Sequence, residues 1–247
     1  MQGGRGVTLA LVAVGVLAAT TSAHMLGLGS CREFEGMANF KPADFNGTWY
    51  VIKKVVTGSK CLSVNYNVMG NGEKIRVEEV RRPPYTDIVP VDLAVTNAGV
   101  LNRKNSPSKF SVTWYNGIMP VTGTYIIVDT DYTTYAIDYE CQEILSFLKR
   151  QSATILSRKP TMDEAKINEL VNKVSSNFDI PKGRMNRIDQ ENCIDLEAND
   201  FNLVIDEQGF KSALESYKEL ETLADTEGVA ELVKSGSAEK GAGQGSG

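Results

Sequence analysis

A single imidazole, His24, serves the whole 247-residue chain, and its four cysteines, Cys31, Cys61, Cys141 and Cys193, stand far apart. A Ser-His-Asp or Cys-His relay needs a histidine held inside a packed site. His24 instead directly succeeds an apolar leader. Metal ligation by histidines fails on the same count, and no cysteine pair has the close spacing of a zinc ribbon or a redox motif. An even cysteine number behind a secretory leader reads as two disulfides, with three connectivities open. The carboxylates Glu79 and Asp138 could do acid-base work, but nothing in their spacing selects them for it. No catalytic residue and no metal ligand is therefore assigned, and no cofactor is required. The chemistry on offer is that of binding.

Residues 1–23 carry Arg5, an apolar run over 7–19, and the small residues Thr21, Ser22 and Ala23 ahead of His24. That is the layout of a cleavable secretory signal, and the run is short of the ~20 residues that a membrane span needs. The protein is expected to be secreted and extracellular. A net charge of -5 argues against nucleic acid as a partner, because that role normally shows a basic patch.

Alternation and turn residues divide the mature chain into strands. Strands are expected over 48–56, 61–69, 74–80, 87–95, 109–115, 121–129, 132–140 and 151–158, with 97–107 as a loop. Short connections favour antiparallel neighbours. The fold class is all-β with one packed α-helix, an eight-stranded antiparallel up-and-down β-barrel, and small closed barrels usually surround a cavity. In the last two strands, Tyr135, Ile137 and Tyr139 share one parity with an apolar outer face, as do Ala153 and Ile155. The next segment supplies a cover. Thr161 and Glu164 have capping-box spacing after Pro160, and Ile167, Leu170, Val171, Val174 and Phe178 recur at helical spacing, giving an amphipathic helix of about four turns against the barrel wall.

The domain plan is a signal peptide over 1–23, a barrel domain with N-terminal arm and helix over 24–198, and an extension over 199–247. In the extension Phe210, Leu214, Tyr217 and Leu220 have helical spacing among charged residues, and glycine, serine and alanine dominate from 235 onward. That composition reads as an acidic helix followed by a flexible tail.

Three clusters carry a family resemblance. Phe45, Gly47, Trp49 and Tyr50 match the first motif of the lipocalins, Thr130, Asp131 and Tyr132 the second, and Arg158 the third. Over about 31–193 the chain resembles the branch of apolipoprotein D and the insect bilin-binding proteins, which include the insecticyanins. The resemblance implies bonds Cys31 to Cys141 and Cys61 to Cys193. It also implies that Arg158 lies over the Trp49 ring at the sealed end, so the motif residues are structural.

The open mouth is then expected at the connections 54–60, 81–86, 116–120 and 141–150. Period-two alternation, anchored on the family pattern, turns Tyr66, Ile75, Val77, Glu79, Val112, Trp114, Tyr125, Ile127, Ala136, Asp138, Ser152 and Thr154 inward. Such a lining suits a hydrophobic ligand with a polar end, held non-covalently: a lipid, fatty acid, sterol, retinoid, carotenoid or tetrapyrrole, chromophores included. Glu79 and Asp138 either sit solvated at the rim or meet a donor on the ligand, such as a pyrrole or amine. Trp114 either stacks on a flat ligand or fills space. Where bilin-binding relatives carry a tryptophan in the last strand this chain has Thr154, which enlarges or wets the pocket.

The resemblance thus implies a secreted, non-enzymatic carrier. The alternatives are an extracellular interaction protein or inhibitor acting through its mouth loops, and a lipid-protective antioxidant using the Met119 thioether. Ile144, Leu145, Phe147 and Leu148, apolar where a hairpin tip is usually polar, could touch a lipoprotein or membrane surface or fold over the rim as a lid. Asn46 opens an Asn-Gly-Thr sequon, a glycosylation acceptor pattern.

Overall fold

A computed structural model describes residues 24–82, 93–115, 120–193, 201–212 and 214–215 of the protein. Its frame is β2 (Gly47–Val55), β3 (Lys60–Met69), β4 (Lys74–Arg82), β5 (Leu93–Arg103), β6 (Lys109–Trp114), β7 (Val121–Thr130), β8 (Tyr135–Leu145) and β9 (Leu148–Ser157). Each pairs antiparallel with the next, and β9 returns to β2, so the ring closes. Preceding them are β1 (Met25–Leu28) and a helical turn, α1 (Pro42–Phe45). After them come α2 (Glu164–Phe178), β10 (Met185–Arg187) and β11 (Phe201–Ile205).

Strand alternation sorts the apolar residues into two cores. Inside the barrel lie Phe45, Trp49, Tyr66, Phe110 and their neighbours. Outside it, Ile137, Tyr139, Ala153 and Ile155 meet the α2 stripe of Ile167, Leu170, Val171, Val174 and Phe178, as the parities of β8 and β9 require. The Phe178 ring stacks on Tyr139 with centroids 3.9 Å apart. The helix starts two residues past the expected cap: Asp163, not Thr161, accepts from the backbone N–H groups of Ala165 and Lys166. A carboxylate there also complements the positive end of the helix dipole, which a threonine hydroxyl cannot do.

Alternation fails at one place in β2. Val51 pairs with Leu156 and Lys53 with Ile155, so one residue of β2 is extra. Trp49 and Val51 face the interior, whereas Ile52 and Val55 join the outer core. This bulge switches the strand's parity, as bulges do, and turns Lys54 inward.

Beyond the bulge the barrel wall is completed by short strands. β2 pairs with β3 only from Gly47 to Tyr50, and β10 takes over its edge at Lys53–Val55. Gln190 Nε2 then bridges both sides of that seam, donating to the carbonyls of Val51 and Leu62 at 2.7 Å. β1 pairs with β9 from Leu148 to Gln151, past the end of the β2 pairing. β11 runs parallel to β5 along Leu93–Asn97, where β6 does not reach. Disulfides Cys31–Cys141 and Cys61–Cys193 pin the arm and the segment after the helix. Each adds roughly 2 to 4 kcal/mol by restricting the unfolded chain.

Several boundaries differ from expectation. The expected loop 97–107 is strand as far as Arg103, because β4 and β6 pair with it on both sides. Its Asn97, Gly99 and Asn102 look like turn residues, but tertiary pairing overrides that preference. Gly99 is needed there: a Cβ would lie 2.8 Å from the Trp114 ring. The expected connection 141–150 is a long hairpin whose strands end at Leu145 and Leu148. β8 begins at Tyr135 rather than 132, because Asp131 Oδ1 accepts from the N–H groups of Thr133, Thr134 and Tyr135 and holds a turn. β11 lies beyond the barrel limit drawn at 198; a first compact unit ends at Glu207 and a second begins at Gln208. The described residues of the second unit are helical, including Phe210 and Leu214. The expected signal peptide, Met119, most of the 81–86 connection, most of the 87–95 strand, Tyr217, Leu220 and the tail lie outside the described residues, as does the side chain of Leu145.

Replacing Phe178 by Ala strips the helix of its stacking partner on the wall. We expect a loss of roughly 3 to 5 kcal/mol, read from the midpoint of urea unfolding.

Candidate ligand-binding site

One end of the barrel is sealed by an aromatic and cationic plug. Gly47 (φ 95) opens β2 in a left-handed conformation suited to glycine, bringing the chain round from α1 so that Phe45 stacks on Trp49 at 5.0 Å. The Arg158 guanidinium stands 3.7 Å above the Trp49 ring and donates to the carbonyls of Asn46, Thr48 and Tyr132. Phe40 and Tyr132 add further rings. This end is closed and forms the floor.

Above that floor the interior changes character. Of the twelve residues expected to face inward, Tyr66, Ile75, Val112, Ile127 and Ala136 pack into the solid lower core. Val77, Glu79, Trp114, Tyr125, Asp138, Ser152 and Thr154 line a cavity together with Lys54, Val64 and Glu140. The cavity between these side chains is small, about 20 Å³.

Its polar groups are linked. Tyr66 Oη and Tyr125 Oη are 2.6 Å apart, and Tyr66 Oη donates to Asp138 Oδ2 at 3.3 Å. Lys54 Nζ is paired with Glu79. Trp114 Nε1 donates to Glu140 Oε2 at 3.0 Å, and His24 Nε2 from the arm stands 3.4 Å from Glu140 Oε1. Glu79 and Asp138 are therefore not solvated rim groups. A buried carboxylate is tolerable only when donors and counter-charges surround it, and here the protein supplies them.

The protonation balance reflects these neighbours. Burial pushes Asp138 up to about 6, against the pull of Lys54 and the hydrogen bonds from Thr154 and Tyr125. Burial opposes ionisation of Glu79 as well, but Lys54 and Arg81 hold it below the usual carboxylate range. Glu140 is likewise lowered, burial being outweighed by His24, Lys54 and the Trp114 N–H. For Lys54, burial pulls down while Glu79 and Asp138 hold the ammonium above its ordinary value. Both tyrosines are raised, first by burial and then by Asp138.

Residues 42–190 match the family model described as a lipocalin-like domain. The chain belongs to the lipocalin family. It is 29% identical to apolipoprotein D of Macaca fascicularis over 170 residues, covering 67% of this chain and 85% of that one. With apolipoprotein D of Rattus norvegicus it shares 29% over 192 residues, covering 76% and 97%. Among solved structures, insecticyanin of the tobacco hornworm Manduca sexta superposes with a TM-score of 0.55 at 20% identity, covering 74% of this chain and 97% of that one. Lobster apocrustacyanin A1 gives 0.54 at 16%, covering 70% and 96%. These solved structures are likenesses of fold.

Within the lipocalin frame, each missed cavity residue has its own explanation. Glu140 shares the parity of Asp138 and closes the expected strand 132–140, so alternation alone turns it inward. Val64 likewise shares the parity of Tyr66. Lys54 needed the bulge, for which no glycine or proline gives notice. Asn46 of the sequon is exposed, and its Oδ1 accepts from Val68 N at 2.9 Å, turning the side chain back toward β3. Among the described residues, no group of three or more His, Cys, Asp or Glu could hold a metal ion.

Asp138 makes stability depend on pH. Its carboxyl keeps a proton in the native state above the range where the unfolded chain has released it, so its contribution favours folding at low pH and fades as pH rises through about 6. Relative to Asp138→Asn, the wild-type protein should lose roughly 2 to 3 kcal/mol between about pH 4 and 7. Parallel urea titrations across that window measure the difference; a pH-independent gap contradicts it.

Proposed function

We propose that this lipocalin is a secreted carrier that binds a small hydrophobic molecule in the upper half of its barrel, without a catalytic step. The observation that carries this reading is the internal division of the barrel. A floor closed by Trp49 and Arg158 supports a cavity with Val64, Val77, Trp114 and Tyr125 for an apolar body and a linked polar set for one end. Two disulfides between distant segments accord with an oxidising, extracellular setting. The cavity holds only about 20 Å³, far below the roughly 300 to 1,000 Å³ typical of ligand sites, so a ligand must displace side chains on entry. Thr154 on the wall leaves room that a large aromatic side chain would fill.

Native mass spectrometry of the purified protein, with an absorbance spectrum, should show a retained small molecule or saturable uptake of an added one. Binding should quench tryptophan fluorescence, and Trp114→Phe should abolish the change because the only other tryptophan, Trp49, is sealed in the floor. Persistent quenching in Trp114→Phe would place the ligand elsewhere.

A second reading concerns how ligand reaches the mouth. Leu26 and Leu28 of β1 are exposed at 65% and 81%, beside Ile144 and Phe147 at 45% and 61%. The arm is held to the hairpin tip by Gly29 N donating to Phe147 O. A cluster of this kind suits a membrane or lipoprotein surface, with Leu148 at its edge. Phe147→Ser together with Leu148→Ser should reduce sedimentation with phosphatidylcholine–phosphatidylserine vesicles by about tenfold, an effect of two buried apolar side chains. Unchanged sedimentation removes this reading.

A further inference from the structure

The Asn-Gly-Thr triplet at 46–48 is the only acceptor pattern for an N-linked sugar in the chain, and it stands at the sealed end of the barrel, where α1 passes into β2. Asn46 and Thr48 are both exposed. The Asn46 side chain is nevertheless oriented, because its Oδ1 accepts from Val68 N at 2.9 Å. With the oxygen turned to the β3 backbone, the Nδ2 group is left on the other side of the amide, without a hydrogen-bond partner among the described residues. N-glycosylation substitutes that nitrogen alone. The amide oxygen stays an acceptor, so a sugar on Nδ2 leaves the Val68 bond in place, and a surface change that breaks no native contact costs the fold little.

The place also suits a bulky group. From Gly47 at the floor, β2 runs nine residues to Val55, about 30 Å of strand, so a glycan at Asn46 stands clear of the mouth. The folded triplet, however, is closed to a transferase that must grip all three residues. Arg158 holds the carbonyls of Asn46 and Thr48 at 3.0 and 2.9 Å. Thr48 pairs with Asn65 in the β2–β3 ladder, and its Oγ1 accepts from Asn65 Nδ2 at 3.3 Å. Both locks come later in the chain, Arg158 following Asn46 by 112 residues. The triplet is therefore open while the chain is being made and shut once the barrel closes.

We propose that Asn46 carries an N-linked oligosaccharide, added in the secretory route before the barrel closes. Asn46 Nδ2 attacks C1 of the first sugar of a lipid-pyrophosphate-linked oligosaccharide. The N–C1 bond forms, the C1–O bond to pyrophosphate breaks, the lipid pyrophosphate leaves with the bonding pair, and the nitrogen gives up one proton. The proposal rests on the secreted reading above.

Expression of the full chain with its own leader in cultured mammalian cells tests it, through the mass of the protein in the medium before and after peptide-N-glycosidase treatment in heavy-oxygen water. The mass should fall by one oligosaccharide, and peptide mapping should find Asn46 converted to the acid with heavy oxygen in it. Thr48→Ala, which keeps the acceptor amide, should abolish the shift, and Thr48→Ser should retain it; where a variant fails to leave the cell, the wild-type map decides. Refolded protein from bacteria, given microsomal oligosaccharyltransferase and the lipid-linked donor, should stay unmodified, and sugar added to it overturns the proposed order of events. Wild-type protein in the medium with a bare Asn46 overturns the glycan and leaves the secreted reading standing. A chain found only in the cytosol, unmodified, overturns both.

Discussion

The one-residue bulge between Val51 and Lys53 governs the upper half of this barrel. Without it, strict alternation would turn Val55 into the cavity and leave Lys54 on the outer wall, against the helix. With it, β2 contributes Trp49 and Val51 to the floor, Ile52 and Val55 to the outer core, and one ammonium group to the interior. That ammonium is what makes the buried carboxylates of β4 and β8 tolerable, since an ionised group out of water needs a counter-charge more than it needs packing. A backbone irregularity thus decides the electrostatics of a pocket formed by strands distant in sequence.

The two halves of the interior obey different rules. Below, rings and branched side chains pack against one another, and the Arg158 charge is spread over five backbone carbonyls and a ring face. Above, polar groups are joined in pairs and chains, and packing is incomplete. The tightly packed region closes the barrel, and the polar region holds its small cavity. The same division explains why one phenol, Tyr66, belongs to the floor by its ring and to the pocket by its hydroxyl.

Much of this was legible from residue order. The parities of Tyr135 to Tyr139 and of Ala153 and Ile155, with the apolar stripe of the next segment, were enough to dock the helix on the correct wall. The motif residues Trp49 and Arg158 announced the floor. What escaped was non-local. The stretch 97–103 looks like loop because Asn and Gly are common in loops, and only its two neighbours make it a strand. Lys54 obeyed a parity that a bulge reversed, and Asp163 outcompeted a threonine as helix cap through its charge. Glu79 and Asp138 line the cavity, and their partners come from β2, β3 and β7, beyond the reach of any local pattern.

Three short strands, β1, β10 and β11, lie along barrel strands past the point where ring neighbours stop. A bare strand edge is a template for another chain. Cys31 tethers the residues just after β1, and Cys193 those just after β10. The disulfides therefore do more than staple distant segments: they hold the arm and the segment after the helix along the edges of β9 and β2 that β1 and β10 cover.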